Sequence, residues 1–256
     1  MVSAITPRSF VTAAGDIAYL DQGEGDAIVL VHGFASNKEV NWVNPSWLTT
    51  LERAGRRVIA LDNRGHGASV KLYDPALYKT ELMAGDVLAL LDHLRIDRAD
   101  IMGYSMGARI AAFLALGHPE RVRSMIMGGL GLKLVEGVGL PESIAHALEA
   151  PSVDDVVDPQ GRMFRIFADQ TRSDRTALAA CIRGTRQTLD PADVGRILVP
   201  VLIAVGAKDA VAGSASALAA LFPHATALDI PNRDHMLAVG DKVFKAAALE
   251  FLATRP

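Results

Sequence analysis

Two glycines with a serine midway between them place the tightest steric demand on this chain. The stretch Ile101-Met102-Gly103-Tyr104-Ser105-Met106-Gly107-Ala108 has a short apolar run before the serine and the alanine-rich run Ala108 to Leu116 after it. Read as strand, sharp turn and helix, it forces Ser105 into a strained backbone conformation that lifts its hydroxyl clear of both elements. The backbone then crowds the positions two residues away on each side, where only a very small residue fits. Gly103 and Gly107 stand there. This is the Gly-x-Ser-x-Gly pattern of a nucleophile elbow. The competing reading is an ordinary glycine turn with a solvated serine, and the rest of the chain decides between them.

The elbow needs a buried sheet around it. Ala27-Ile28-Val29-Leu30-Val31 is a continuous apolar run with β-branched residues, and so are Arg57 to Leu61 after its first residue and Val199 to Val205 around Pro200. Such runs belong to strands covered on both faces, as in a parallel sheet between helices. Residues 9–13 and 17–21 read as short strands about a turn at Ala14-Gly15-Asp16, and 122–127 and 225–230 complete the set. Helices are expected over Pro45 to Ala54, capped by Asn44, over 80–94, after the elbow to about Gly117, and over 242–253. Leu82, Val87, Leu90, Leu91 and Leu94 are the expected core of the second helix. Val243, Phe244, Ala247, Phe251 and Leu252 form the inner stripe of the last. The expected fold is α/β, a mostly parallel doubly wound sheet with helices on both faces.

One region breaks the alternation. From Leu132 to Ile197 no convincing strand occurs, and short helices are expected near 141–149, 160–171, 174–187 and 191–197, the last capped by Asp190 before Pro191. The expected organisation is a core of residues 1–131 and 198–256, with a small helical cap, residues 132–197, inserted over the carboxyl ends of the strands.

A serine hydroxyl is a poor nucleophile until an imidazole takes its proton and a carboxylate holds that imidazole. Both should come later in the chain, at strand ends. Asp209 follows the strand ending at Val205, and His235 follows the strand ending at Ile230. Asp229 lies inside a strand, and Asp234 adjoins His235 awkwardly. His32 and His66 lie in loops that could approach the site, but neither follows a late strand, and His93, His118, His146 and His224 sit in helix or connection settings. Two backbone N–H groups must hold the developing oxyanion. Met106 supplies one and Phe34, in the loop His32-Gly33-Phe34, the other.

Taken together, His32-Gly33-Phe34, the segment Asp62 to Ser69, Gly103-Tyr104-Ser105-Met106-Gly107, Gly206-Ala207-Lys208-Asp209 and Asp234-His235 resemble the α/β-hydrolase superfamily, along nearly the whole chain. The resemblance implies a sheet of about eight strands, a triad of Ser105, Asp209 and His235, and a cap lining the substrate pocket. It implies a structural role for Arg64 to Ser69. Haloalkane dehalogenases and epoxide hydrolases of this fold carry aspartate where Ser105 stands, and the loop after Gly33 lacks the glycine run of the hormone-sensitive-lipase-like branch. Arg109 resembles the arginine of a Gly-Tyr-Ser-Met-Gly-x-Arg arrangement in a menaquinone-pathway lyase, although an arginine on the helix surface is the plainer expectation.

The remaining observations bound the function. Half of the 256 residues are hydrophobic, a fifth are charged and the net charge is −3, which favours neither nucleic acid nor an anionic membrane as partner. The start of the chain shows no secretory pattern, and a single cysteine, Cys181, reads as a packed, inert thiol, so a cytoplasmic setting is expected. No His-Glu-x-x-His, cysteine pair or phosphate loop occurs, and Gly129-Leu130-Gly131 lacks its third glycine because Leu134 stands there, so neither metal nor cofactor is expected. The expected activity is that of a serine carboxylesterase on small to medium acyl esters, with oligomeric state left open. The alternatives are a perhydrolase or haloperoxidase-like enzyme, a lactone or C–C hydrolase or lyase using Arg162, Arg165, Arg172, Arg183 and Arg186 to bind an anionic substrate, and a ligand receptor without turnover.

Overall fold

The computed structural model describes residues 7–137 and 142–255. Strands β1 (Arg8–Thr12), β2 (Gly15–Gln22) and β3 (Asp26–Val31) lead into helix α1 (Trp47–Arg53) and β4 (Arg56–Leu61). Helix α2 (Thr80–His93), β5 (Ala99–Tyr104), α3 (Met106–Gly117) and β6 (Val122–Gly128) follow. After an all-helical stretch come β7 (Val201–Gly206), α9 (Ala215–Ala219), β8 (Ala225–Ile230) and α10 (Lys242–Thr254). That stretch holds α4 (Lys133–Glu136), α5 (Glu142–Glu149), α6 (Pro159–Gln170), α7 (Arg175–Gly184) and α8 (Pro191–Val194). The eight strands form one sheet in the order β1-β2-β4-β3-β5-β6-β7-β8. The β1–β2 and β2–β4 pairs are antiparallel, and every later pair is parallel.

Alternation along each strand divides the core. Val29, Val31, Ile59, Leu61 and Ile101 pack with Val87, Leu90, Leu91 and Ile110 of α2 and α3 on one face. Ile28, Leu30, Val58, Ala60 and Met102 pack with Trp47, Leu51, Phe244 and Leu252 of α1 and α10 on the other. The apolar runs at β3, β4, β5 and β7 are therefore buried twice over, which is the reason for their composition.

Three local expectations need correction. Leu82 is exposed, whereas Met83 is buried and begins the inner series with Val87, Leu90 and Leu91. The expected positions Val87, Leu90 and Leu91 are all buried, and Met83 in place of Leu82 extends their face at a spacing of four, three and one. Helix α1 begins at Trp47 after a π-helical turn, Glu39–Val43, and its N-cap is Ser46 in the left-handed region (φ 64°), not Asn44. Trp42 and Trp47 are both fully buried, edge to face with centroids 6.3 Å apart, and Trp47 Nε1 donates to the Val239 carbonyl at 2.7 Å. Seating two indoles under β3 and α10 decides where the helix starts. Helix α7 stops at Gly184, short of the expected residue 187.

Helix α8 likewise stops at Val194, short of the expected residue 197, while α5 and α6 lie close to expectation. Asp190 caps α8 by accepting the Ala192 N–H at 2.9 Å, and Asp158 caps α6 through Gly161 N–H at 2.7 Å. Residue 141, the expected start of α5, lies outside the described residues. No described helix is long and apolar enough to cross a membrane.

Candidate active site

The carboxyl ends of β3, β5, β7 and β8 converge at one edge of the sheet, and each contributes one piece of the site. Ser105 follows β5 directly, with φ 53° and ψ −111°, and its N–H donates to the Gly128 carbonyl at 2.7 Å. A Cβ on Gly103 would collide with the Gly107 carbonyl, and one on Gly107 would collide with the carbonyls of Val31 and His32. The glycines are there because backbone passes within contact distance of backbone. The same closeness presses the β3 loop against the elbow.

Asp209 and His235 meet Ser105 as the spacing predicts. His235 Nδ1 donates to Asp209 Oδ2 at 2.7 Å, and His235 Nε2 lies 3.1 Å from Ser105 Oγ. The Asp209 side chain is fully buried. Its other oxygen accepts the N–H groups of Val211 (2.8 Å) and Ala212 (3.0 Å), so both carboxylate oxygens have partners. The carboxylate sets the tautomer: with the proton on Nδ1, Nε2 is free to accept from the serine. Asp234 turns away and accepts from Met236 and Leu237 N–H, and Asp229 is exposed on β8.

Tyr104 and Asn41, which carry no expected role, and His66, which lies in the segment expected to be structural, hold this arrangement. Tyr104 Oη donates to the His235 carbonyl at 2.5 Å, with the rings 5.6 Å apart. Asn41 Oδ1 accepts the Gly33 N–H at 3.1 Å. His66 Nε2 accepts the Ala35 N–H at 3.2 Å while its Nδ1 donates to the Arg64 carbonyl. The backbone N–H groups of the residues on both sides of Phe34 are thereby pinned. Beneath them His32 donates from Nδ1 to the Gly33 carbonyl and accepts the Asn63 N–H at Nε2. Lys38, itself buried, reaches Asp62 at 2.6 Å. Burial opposes both charges, yet their mutual attraction and hydrogen bonds hold Lys38 above its usual value and Asp62 below its own. Arg64 clasps Asp86 through two bonds of 2.7 Å, anchoring the loop that carries His66.

His32 and His66 are fully buried, and that burial lowers both pKa values, His66 to about 3, with the neighbouring His32 adding to its shift. Both act as acceptors, so both must stay neutral. In the unfolded chain each would take up a proton near its ordinary value of about 6.5. Below that pH, down to about 3 for His66, the unfolded state binds more protons, so stability is full above pH 6.5 and falls as the pH drops, by up to about 1.4 kcal/mol per pH unit for each histidine. We expect the urea midpoint to fall clearly between pH 7 and pH 4.5. An unchanged midpoint would contradict the neutral pair.

The serine opens into a cavity of about 240 Å³. Phe34, Val40, Tyr104, Phe164, Phe167 and Val239 supply most of its wall, and Phe34 and Phe164 lie 5.7 Å apart. Helix α6 therefore forms one side of the pocket. The arginines of the insert are engaged elsewhere: Arg165 with Asp169 and the Ala147 and Ala150 carbonyls, Arg183 with Glu142 and Glu149, Arg186 with Glu142, and Arg162 with Asp154 and the Val153 carbonyl. Arg172 is exposed and borders a separate polar hollow. Arg109 is not on the helix surface as expected. It is buried and donates to the carbonyls of Lys133, Leu134 and Gln187, tying α3 to the insert, and burial lowers its pKa to about 10. Cys181 is fully buried with its Sγ 3.8 Å from Met106 Sδ, and burial pushes its pKa up.

Comparisons with known proteins agree with this architecture. The alpha/beta hydrolase fold family model matches residues 26–134. The chain is 34% identical over 241 residues to the dihydrolipoyllysine-residue acetyltransferase component of the acetoin cleaving system of Pseudomonas putida, covering 84% of this chain and 60% of that protein. It is 30% identical over 167 residues to 3-oxoadipate enol-lactonase 2 of Acinetobacter baylyi, covering 60% of this chain and 62% of the relative. The chain thus spans less than two thirds of the length of either curated relative. A solved hydrolase from Pseudomonas aeruginosa superposes with a TM-score of 0.79 at 24% identity, over 99% of this chain and 100% of that one. The chain has the α/β-hydrolase fold, and residues 26–134 match that family's model.

Proposed function

We propose that this protein is a serine hydrolase of uncharged carboxylic esters. The observation that carries the reading is the hydrogen-bonded series Asp209–His235–Ser105 opening into a pocket walled mainly by apolar side chains. Ser105 Oγ attacks the ester carbonyl carbon as His235 Nε2 takes its proton. The N–H groups of Phe34 and Met106 hold the oxyanion, the first on a loop pinned at Gly33 and Ala35, the second at the start of α3. His235 then protonates the leaving alkoxide, and the acyl group remains on Ser105. Water, deprotonated by His235, attacks the acyl carbon and releases the acid. Asp209 keeps the imidazole oriented and stabilises its cation. Residues 132–197 act as a cap, with Phe164 and Phe167 bounding the substrate.

Charge selects the substrate class. Among the described residues, the pocket wall carries no ionisable side chain apart from His235 but Tyr104, whose phenol is held neutral by burial with the carboxylates of Asp209 and Asp234 nearby. A substrate carboxylate there would be desolvated without a counter-charge, at a cost of several kcal/mol. This favours a neutral ester over the carboxylated substrates of the lactonase, C–C hydrolase and lyase alternatives. The test compares p-nitrophenyl butyrate with the p-nitrophenyl monoester of succinate. We expect kcat/KM to favour the neutral ester by at least about tenfold, and a preference for the carboxylated one overturns the reading.

A further inference from the structure

Helix α6 is apolar on a face that should be polar. Besides the phenylalanines turned to the pocket, it carries Met163 and Ile166 at the surface, exposed by 43% and 40%. The outward face of a surface helix is ordinarily polar, with one apolar stripe turned inward. Here Pro159, Met163, Ile166, Phe167 and Gln170, spaced four, three, one and three apart, line an open groove of about 440 Å³, completed by Met236 from the loop that carries His235. Arg162 borders it, with its guanidinium engaged by Asp154 and the Val153 carbonyl. Phe167 and Met236 line both this groove and the cavity above Ser105. The cavity alone falls below the roughly 300–1,000 Å³ of small-molecule sites, and cavity and groove together lie within that range.

The geometry points to the groove as a second subsite, which takes the distal hydrocarbon of a substrate whose ester carbonyl sits at Ser105. The subsite rests on the ester-hydrolase reading and narrows it to esters with a medium-length alkyl chain. Continuity is the reason to assign the groove to substrate: a chain leaving the inner cavity past Phe167 and Met236 runs onto Met163 and Ile166. The chemistry fits, since the groove's wall is apolar and each methylene it buries contributes about a fourfold gain.

The test measures kcat/KM for p-nitrophenyl acetate, butyrate and octanoate, below micelle-forming concentrations, with the wild-type protein and a Met163→Gln, Ile166→Gln double variant. Both positions are exposed, so the fold tolerates the changes. The octanoate-to-butyrate ratio is expected to exceed ten in the wild type and to fall at least tenfold in the variant. A wild type that prefers butyrate, or a ratio that the variant leaves intact, overturns the subsite. A second arm needs no turnover: calorimetric binding of 1-octanol and 1-butanol to both proteins. Equal wild-type affinities for the two alcohols, or octanol binding that the variant retains, overturn the subsite even if no ester is hydrolysed, whereas a failure of the ester-hydrolase reading alone shows as no turnover of acetate or butyrate while octanol binding still depends on Met163 and Ile166. A wild-type dimer that the variant dissociates, with the chain-length ratio unchanged, gives this face to a second copy of the chain and overturns the assignment.

Discussion

Replacing Ser105 with alanine should lower kcat for ester hydrolysis by roughly 10⁴- to 10⁶-fold, with substrate binding little changed. The change removes one oxygen, the one 3.1 Å from His235 Nε2, and leaves Asp209, the oxyanion donors and the apolar wall in place. What is lost is the covalent path, equivalent to about 5–8 kcal/mol of barrier at 1.36 kcal/mol per tenfold. What remains is electrostatic stabilisation for direct attack by water. Steady-state kinetics together with labelling by a fluorophosphonate give the readout. The wild type should be modified at Ser105 and the variant should resist. Near-full hydrolysis by the variant would remove the serine from the mechanism.

The second large effect concerns folding. Gly107→Ala should lower stability by at least about 3 kcal/mol, which for a chain of this size is a loss of roughly 6–12 °C in melting temperature. The added methyl would press on the carbonyls of Val31 and His32. Neither is a side chain that can change rotamer, so relief requires moving the end of β3 away from the elbow. Gly85→Ala supplies the contrast. Gly85 is exposed on α2 with open space where a methyl would go, and the change should stabilise by up to about 1 kcal/mol through helix propensity and a less flexible unfolded chain. Urea unfolding of both proteins decides it, and a Gly107→Ala protein as stable as wild type would mean the close approach is slack.

The two glycines explain why so much was legible before any coordinates. Ser105, Asp209 and His235 each sit next to a strand end, and a buried strand followed by a turn is a local signal. Their convergence then follows from parallel strands sharing a carboxyl edge. Leu82 and Asn44 were misplaced because a helix's phase and start depend on what it packs against: Met83 toward α3, and the two indoles under α1. Arg109 was read as a surface residue because its three carbonyl partners come from residues 133–187, which nothing local connects to it. Asn41 and Tyr104 act through single bonds to backbone across 8 and 131 residues of chain. Such pairings leave no mark of periodicity or spacing.

Cys181 turns the molecule into its own stopwatch. As the sole thiol, wholly enclosed against Met106 beside the elbow and held protonated by its surroundings, it stays hidden from a thiol reagent while the helices around α3 remain packed. Its rate of labelling therefore counts openings of the packing against Met106, next to Ser105, one reporter atom per chain and no engineering required. Followed with and without an ester analogue bound, that rate would tell whether occupation of the pocket quiets the helices that enclose it.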